Sequence, residues 1–170
     1  MPHSRAPALV ALALGSALVC ACQSYDPKTE LEVTKTETYW IVGSPRHGEN
    51  YISPVVRFSL RNRGKQPLVA IQARARFPAP DQEEVWGSIQ EQVATWSKPL
   101  EPGQEREVTV QCAGRYHAAA TPSDMLRSPG FRDPRFEIFV RIGASRWVML
   151  GEGKVERRIG APEIRDLVGP

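Results

Sequence analysis

The chain has little of what most enzymes are built around. Its 170 residues hold three cysteines and three histidines. His47 and His117 stand far apart, with no second His, Cys or acid at metal-ligand spacing, so local sequence assembles neither a zinc site nor a histidine-driven nucleophile. No G-x-S-x-G elbow, phosphate-cradling glycine loop or H-E-x-x-H pair occurs. A membrane-spanning run is also missing. The longest apolar stretch, residues 8–19, is about a dozen residues where a spanning helix needs about 20. Nor does one sign of charge dominate: 22 Lys and Arg stand against 19 Asp and Glu, a net charge of +3. That balance excludes a nucleic-acid-binding profile.

What is there begins with ALVALALGSALVCACQS, residues 8–24. Arg5 precedes the apolar run and polar sequence follows it, which is the order of a secretion signal. The stretch Val19-Cys20-Ala21-Cys22 resembles the lipobox of bacterial lipoproteins, with a branched apolar residue three before the acceptor and a small residue just before it. Cys20 is the poorer acceptor, because the bulky Val19 precedes it. The resemblance implies a signal peptide over residues 1–21, a diacylglyceryl group on the Cys22 sulfur and an amine open to acylation by palmitate-type chains. Two or more such chains anchor a protein stably where one does not. Gln23, where retention in the inner membrane favours Asp, implies an outer-membrane address facing the periplasm. The alternative is ordinary signal peptidase cleavage, releasing a soluble secreted domain.

The mature chain has the length of one domain. Residues 22–30 read as a polar tether without core residues, 31–160 as the folded domain and 161–170 as a tail. Removal of Cys20 and acylation of Cys22 leave Cys112 alone, which excludes an intramolecular disulfide. On the inward side of an alternating strand it reads as a small buried hydrophobe; the other reading is a reactive or interchain thiol.

Period two dominates the domain and argues half-buried strands. Leu31, Val33, Tyr39 and Ile41 alternate with Glu32, Thr34, Thr36 and Thr38. Val56, Phe58 and Leu60 alternate with Arg57, Ser59 and Arg61. In residues 67–77, Val69, Ile71, Ala73, Ala75 and Phe77 read as inward against Gln72, Arg74 and Arg76. Short strands are expected around 85–89 and 92–96, then strands carrying Val108, Val110 and Cys112, and Phe136, Ile138, Val140 and Ile142, with a closing hairpin through RWVML, GEGK and VERR. Between Ala113 and Asp133 runs a long connection. Within it Thr121 is an N-cap candidate, with Pro122 at the first helical position and Asp124 three residues after the cap, so one short helical turn is expected there.

Seven or so short strands without a crossover helix imply an all-β, two-layer antiparallel sandwich. The run VVRFSLRNRGKQPLVAIQARARF, followed by LEPGQEREVTV, resembles bacterial immunoglobulin-like modules, in which an Asn-x-Gly turn and a later Pro-Gly turn separate strands. The resemblance covers roughly residues 55–112 and implies adhesion, scaffolding or assembly, not one chemistry.

Arg57, Arg61, Arg63, Arg74 and Arg76 fall on the outward parity of two successive strands or their turn. In one sheet they would make a basic face for carboxylates or phosphates; in opposite sheets they would divide between two surfaces. Glu105 and Glu107 are their candidate counter-charges. Trp40 breaks the inward parity of its strand and reads as an exposed anchor, and Tyr116 and Met125 in the long connection join it as candidate contacts. These features lead to the expectation of a non-enzymatic, cofactor-free module of the cell envelope, anchored to the membrane through Cys22 and binding a protein or peptidoglycan partner. A wall hydrolase or accessory factor is the alternative.

Overall fold

The computed structural model describes residues 25–78 and 85–160. The leader at 1–21, Cys22 and the tail at 161–170 lie outside the described residues. Among the described residues the chain forms two short helices, α1 (Pro27–Glu30) and α2 (Pro122–Arg127), and nine strands. In chain order these are β1 (Leu31–Arg46), β2 (Glu49–Asn62), β3 (Ile71–Pro78), β4 (Val85–Gly87), β5 (Glu91–Ala94), β6 (Glu105–Gln111), β7 (Tyr116–Ala118), β8 (Arg135–Ile142) and β9 (Val148–Lys154). The count exceeds seven: both short strands expected in the middle segment form, as β4 and β5, and the long connection adds β7.

One sheet runs β1-β2-β6 with β7 also on β2; the other runs β4-β3-β8-β9 with β5 also on β3. All these pairings are antiparallel. The protein is thus a two-layer antiparallel sandwich. Strict alternation builds the core. Ile52, Val56, Phe58 and Leu60 of β2 meet the inner faces of β3 and β8, where Ile71, Ala73, Ala75, Phe77, Ile138 and Val140 are all fully buried. Each large aliphatic or aromatic side chain so buried contributes about 1.5–3 kcal/mol.

Phase shifts account for two departures from the sequence reading, and a third lies in the closing hairpin. In β1, Val33 faces Leu60 and Lys35 faces Ser59, so Thr34 is an extra residue, a β-bulge. A one-residue bulge inverts the alternation beyond it. Thr36, Thr38 and Trp40 therefore lie opposite Phe58, Val56 and Pro54 on the core-facing side, and Trp40 is wholly buried rather than an exposed anchor. Before β3, Ala70 adopts a left-handed backbone, φ 52°, and the kink makes Leu68, not Val69, the fully buried residue. At the C-terminal end, GEGK belongs to β9 itself; the hairpin is β8–β9, turning at Gly143–Ser145.

Residues 25–30, read as part of a tether, belong to the folded body. Asp26 caps α1 by accepting the Lys28 amide, Pro27 is buried, and Tyr25 packs against the core. The chain thus enters the folded body at one pole of the sandwich, where Arg63 N–H donates to Glu30 O at 2.8 Å. The turns at 63–70, 95–104 and 143–147 share this entry pole. The His47–Gly48 turn, α2 and most of the connection 113–133 occupy the far pole. The 14 residues of β2 between them span about 45 Å at roughly 3.3 Å per residue.

Candidate functional site

The crossover from β2 to β3 changes sheets, so the arginines divide. Arg57 and Arg61 lie on the outer face of the first sheet, and both meet acids there. Arg61 Nε donates to Glu105 Oε1 at 2.9 Å, and its Nη1 lies 3.6 Å from Glu32 Oε2. The hydrogen bond from Arg61 holds the Glu105 carboxyl below its usual range. Arg57 Nε lies 3.8 Å from Glu107 Oε1, and its guanidinium sits over the Tyr39 ring at 5.6 Å. Cross-strand register puts these pairs together, since Arg57, Ser59 and Arg61 oppose Thr109, Glu107 and Glu105. Charge on this face is compensated, and Arg63 stands apart in the exposed turn.

Arg74 and Arg76 lie on the outer face of the second sheet, in different surroundings. Arg74 is directly opposite Phe139 and Gln72 opposite Arg141. The Arg74 guanidinium lies 4.4 Å from the Trp147 ring centroid and 5.7 Å from that of Phe139, while Arg141 lies 4.8 Å from Trp147. Arg76 lies 5.8 Å from Phe139 and 3.7 Å from Glu137 Oε2. Among the described residues neither Arg74 nor Arg141 is paired with a carboxylate; Arg141 Nε donates to Gln72 Oε1, and the buried Arg74 Nε has no acceptor. Stacking fixes the guanidinium planes without neutralising them. Beside them Met149 is 43% exposed. Arg, Trp, Phe and Met are the side chains enriched where proteins bind one another.

At the far pole, the connection 113–133 folds over an aromatic cap. Tyr116 packs edge-on against Trp40 at 5.3 Å and Trp86 at 4.7 Å, and Phe131 lies 5.2 Å from Trp40. Gly114 is required there, because a Cβ would fall 2.4 Å from the Trp86 ring. Thr121 caps α2 as its sequence implies, accepting the Asp124 amide. Between β7, α2 and residues 128–132 lies a cleft of about 380 Å³, with Tyr116, Met125 and Phe131 among its lining and Asp124, His117 and Arg132 among its polar groups. Two sequence candidates, Tyr116 and Met125, thus share one cleft, while the third, Trp40, lies buried within the cap. Burial raises the pKa of the Tyr116 phenol. His117 Nδ1 lies 2.8 Å from Glu49 Oε2; among the described residues no hydroxyl or thiol is hydrogen-bonded to that imidazole.

Sequence reasoning named Trp147 only among four tryptophans that could line a recognition groove, and it missed Phe139 and Arg141. The signal was present: with Phe136, Ile138, Val140 and Ile142 inward, Phe139 is an apolar residue on the outward parity. Arg157 was missed as well. It grips Asp133 through Nε at 2.6 Å and Nη2 at 3.0 Å and donates to the Leu126 and Phe131 carbonyls. Cys112 is 3% exposed, and burial pushes its thiol up to about 11.

No family model and no curated protein matches the chain. Two solved structures are similar over most of their length. One is the Northeast Structural Genomics Consortium target SoR45, 9% identical, covering 85% of this chain and 97% of its own, with a TM-score of 0.44. The other, from Bordetella pertussis and assigned the name ApaA, is 15% identical, covers 76% of this chain and 96% of its own, and has a TM-score of 0.34. Likenesses at these scores carry no argument about function.

Proposed function

We propose that this chain is a lipid-anchored protein of the bacterial envelope, held by an acylated Cys22 in the outer membrane facing the periplasm, and that its sandwich recognises another envelope component without turnover. The observation that carries the reading is the outer face of the second sheet. There Arg74 and Arg141 are stacked on Trp147 and Phe139 and left without carboxylate partners among the described residues. Guanidiniums already ordered by stacking lose little freedom on binding, so the face is prepared for carboxylate acceptors on a protein or a peptidoglycan stem peptide. The arginines of the first sheet lie beside Glu105, Glu107 and Glu32, whose carboxylates balance their charge.

The spacing between Cys22 and the domain sets the orientation of the anchored protein. Only Gln23 and Ser24 separate Cys22 from Tyr25, so lipid at Cys22 would hold the entry pole at the bilayer and present the lateral face and far-pole cleft to the periplasm. The test has two arms. Labelling with a clickable palmitate analogue should mark the protein and fail in Cys22→Ala. A photo-crosslinking residue at Met149 should give defined adducts in intact cells, which Arg74→Glu removes. An unlabelled protein in the culture fluid would overturn the anchor, and adducts indifferent to Arg74→Glu would overturn the recognition face.

A further inference from the structure

Trp96 is 83% exposed, unlike Trp40, which is wholly buried. It sits on a tight turn in which the Thr95 and Lys98 backbones exchange hydrogen bonds at 3.2 and 3.3 Å and Lys98 N–H also donates to Thr95 Oγ1. The indole is thus displayed by an ordered turn. That turn belongs to the entry pole, because Leu68 and Leu100 exchange backbone bonds at 3.0 and 2.9 Å and tie it to the 63–70 turn. The Tyr25 hydroxyl donates to Gln66 Oε1 at 3.2 Å in the same region.

We infer that the entry pole is itself a membrane-contact surface, with Trp96 seated at the headgroup boundary and Lys28, Arg63, Lys65, Lys98 and Arg146 facing anionic lipid. The inference rests on the reading of Cys22 as the acylated residue. Three residue steps from Cys22 to Tyr25 reach about 10 Å at full extension, so a lipid at Cys22 leaves this pole no room to stand away from the headgroups. Tryptophan is the residue whose apolar body and N–H donor suit that boundary. Charge agrees: the five basic side chains are exposed and make no ion pair among the described residues, while the acids of this pole are Asp26, Glu30 and Glu101. Asp26 is engaged as the α1 cap. Basic groups beside an anchor are drawn to an anionic leaflet. A partner protein would cover Trp96 equally well, but it would have to enter the gap of about 10 Å that the short link allows.

The experiment uses the full chain purified from membranes and reconstituted in vesicles of phosphatidylcholine and phosphatidylglycerol carrying bromine shallow on the acyl chains. Bromine should quench the indole emission, and Trp96→Phe should lose most of that quenching while keeping the native circular dichroism spectrum. The double variant Lys65→Gln, Lys98→Gln should lose quenching in anionic vesicles. Palmitate labelling of the same preparation separates the two readings. Labelled protein whose quenching is absent, or unchanged by Trp96→Phe, overturns the membrane contact and leaves the anchor standing. Unlabelled protein with Trp96-dependent quenching overturns the anchor and supports the contact. Protection of Trp96 that appears only when a second protein is crosslinked to it, and not in vesicles, also overturns the contact.

Discussion

The side-chain amide of Asn62, wholly buried, donates to the carbonyl of Leu100 at 2.8 Å. Its second N–H goes to Gln66 O at 2.8 Å, its oxygen accepts the Gly64 amide at 2.8 Å, and its main chain bonds Gln104 O and Gly103 N–H. One residue therefore binds the Asn-x-Gly turn to the Leu-x-Pro-Gly-Gln turn. These are the two stretches that carried the immunoglobulin-like resemblance, and they lie together in space though about 40 positions apart in sequence, where loop closure alone would not fix them.

Asn62→Ala should accordingly destabilise the domain by about 2–4 kcal/mol, because three hydrogen bonds vanish, the Gln66 carbonyl and the Gly64 amide lose this partner, and the Leu100 carbonyl keeps only the Leu68 amide. Urea denaturation of wild type and variant measures this. A loss under about 0.5 kcal/mol, the size of an ordinary surface change, would show that water replaces the amide.

Trp40 gives a second prediction. Its ring closes the far end of the core against Tyr116 and Phe131, and its Nε1 is buried without a hydrogen-bond partner among the described residues. Trp40→Ala should cost about 3–5 kcal/mol through the cavity it leaves. Trp40→Phe should cost much less, because it keeps most of the volume and removes an unmet donor. Thermal unfolding of the pair would settle the order. Equal losses in both would mean that the N–H finds a partner.

Trp40 also marks where the sequence stopped being readable. Alternation in β2, β3 and β8 followed directly from period two, and the Thr121-Pro122 signature located α2, because those signals are local. The bulge at Thr34 has no local signature. Residues on either side still alternate, and only their phase differs, so a Trp that seemed to point outward points in. The division of the arginines was one of two open alternatives, since parity tells which side of a strand a residue takes but not which sheet the strand joins. Stacking of Arg74 on Trp147 joins β3 to the turn after β8, a contact only tertiary structure supplies.

Cys112 yields the pH dependence. Burial raises its thiol from 9.0 to about 11, so the folded state prefers the neutral form. The stabilisation is fully present below the unfolded value and is lost as pH climbs through the folded one. Stability should therefore fall between roughly pH 9 and 11 by about 2–3 kcal/mol, and Cys112→Ala should flatten that slope. Native protein should resist thiol reagents at pH 8 and react once unfolded in urea. Rapid labelling of the native state would show that the site opens far more readily than its burial implies.

The last prediction concerns what keeps the far pole in place. Arg157 reaches from just beyond β9 to Asp133 in a two-point grip, to the carbonyls of Leu126 and Phe131, and over the Phe131 ring at 5.4 Å. The last carbonyls of α2 and the loop after it thereby gain donors that a six-residue helix cannot supply for itself. Because the side chain is 40% exposed, solvent screens the ion pair, and Arg157→Ala should cost little global stability. Its local effect should be larger. Amides of residues 119–133 should exchange faster by about tenfold while those of β2 and β3 hold, since a region secured by few contacts opens separately from the core. Arg157→Lys should fail to restore protection, because a lysine cannot present the planar fork that meets carboxylate and carbonyls together. Unchanged exchange in both variants would mean that the aromatic cap of Trp40, Tyr116 and Phe131 secures the connection alone, and the far-pole cleft would then owe its shape to packing and not to this arginine.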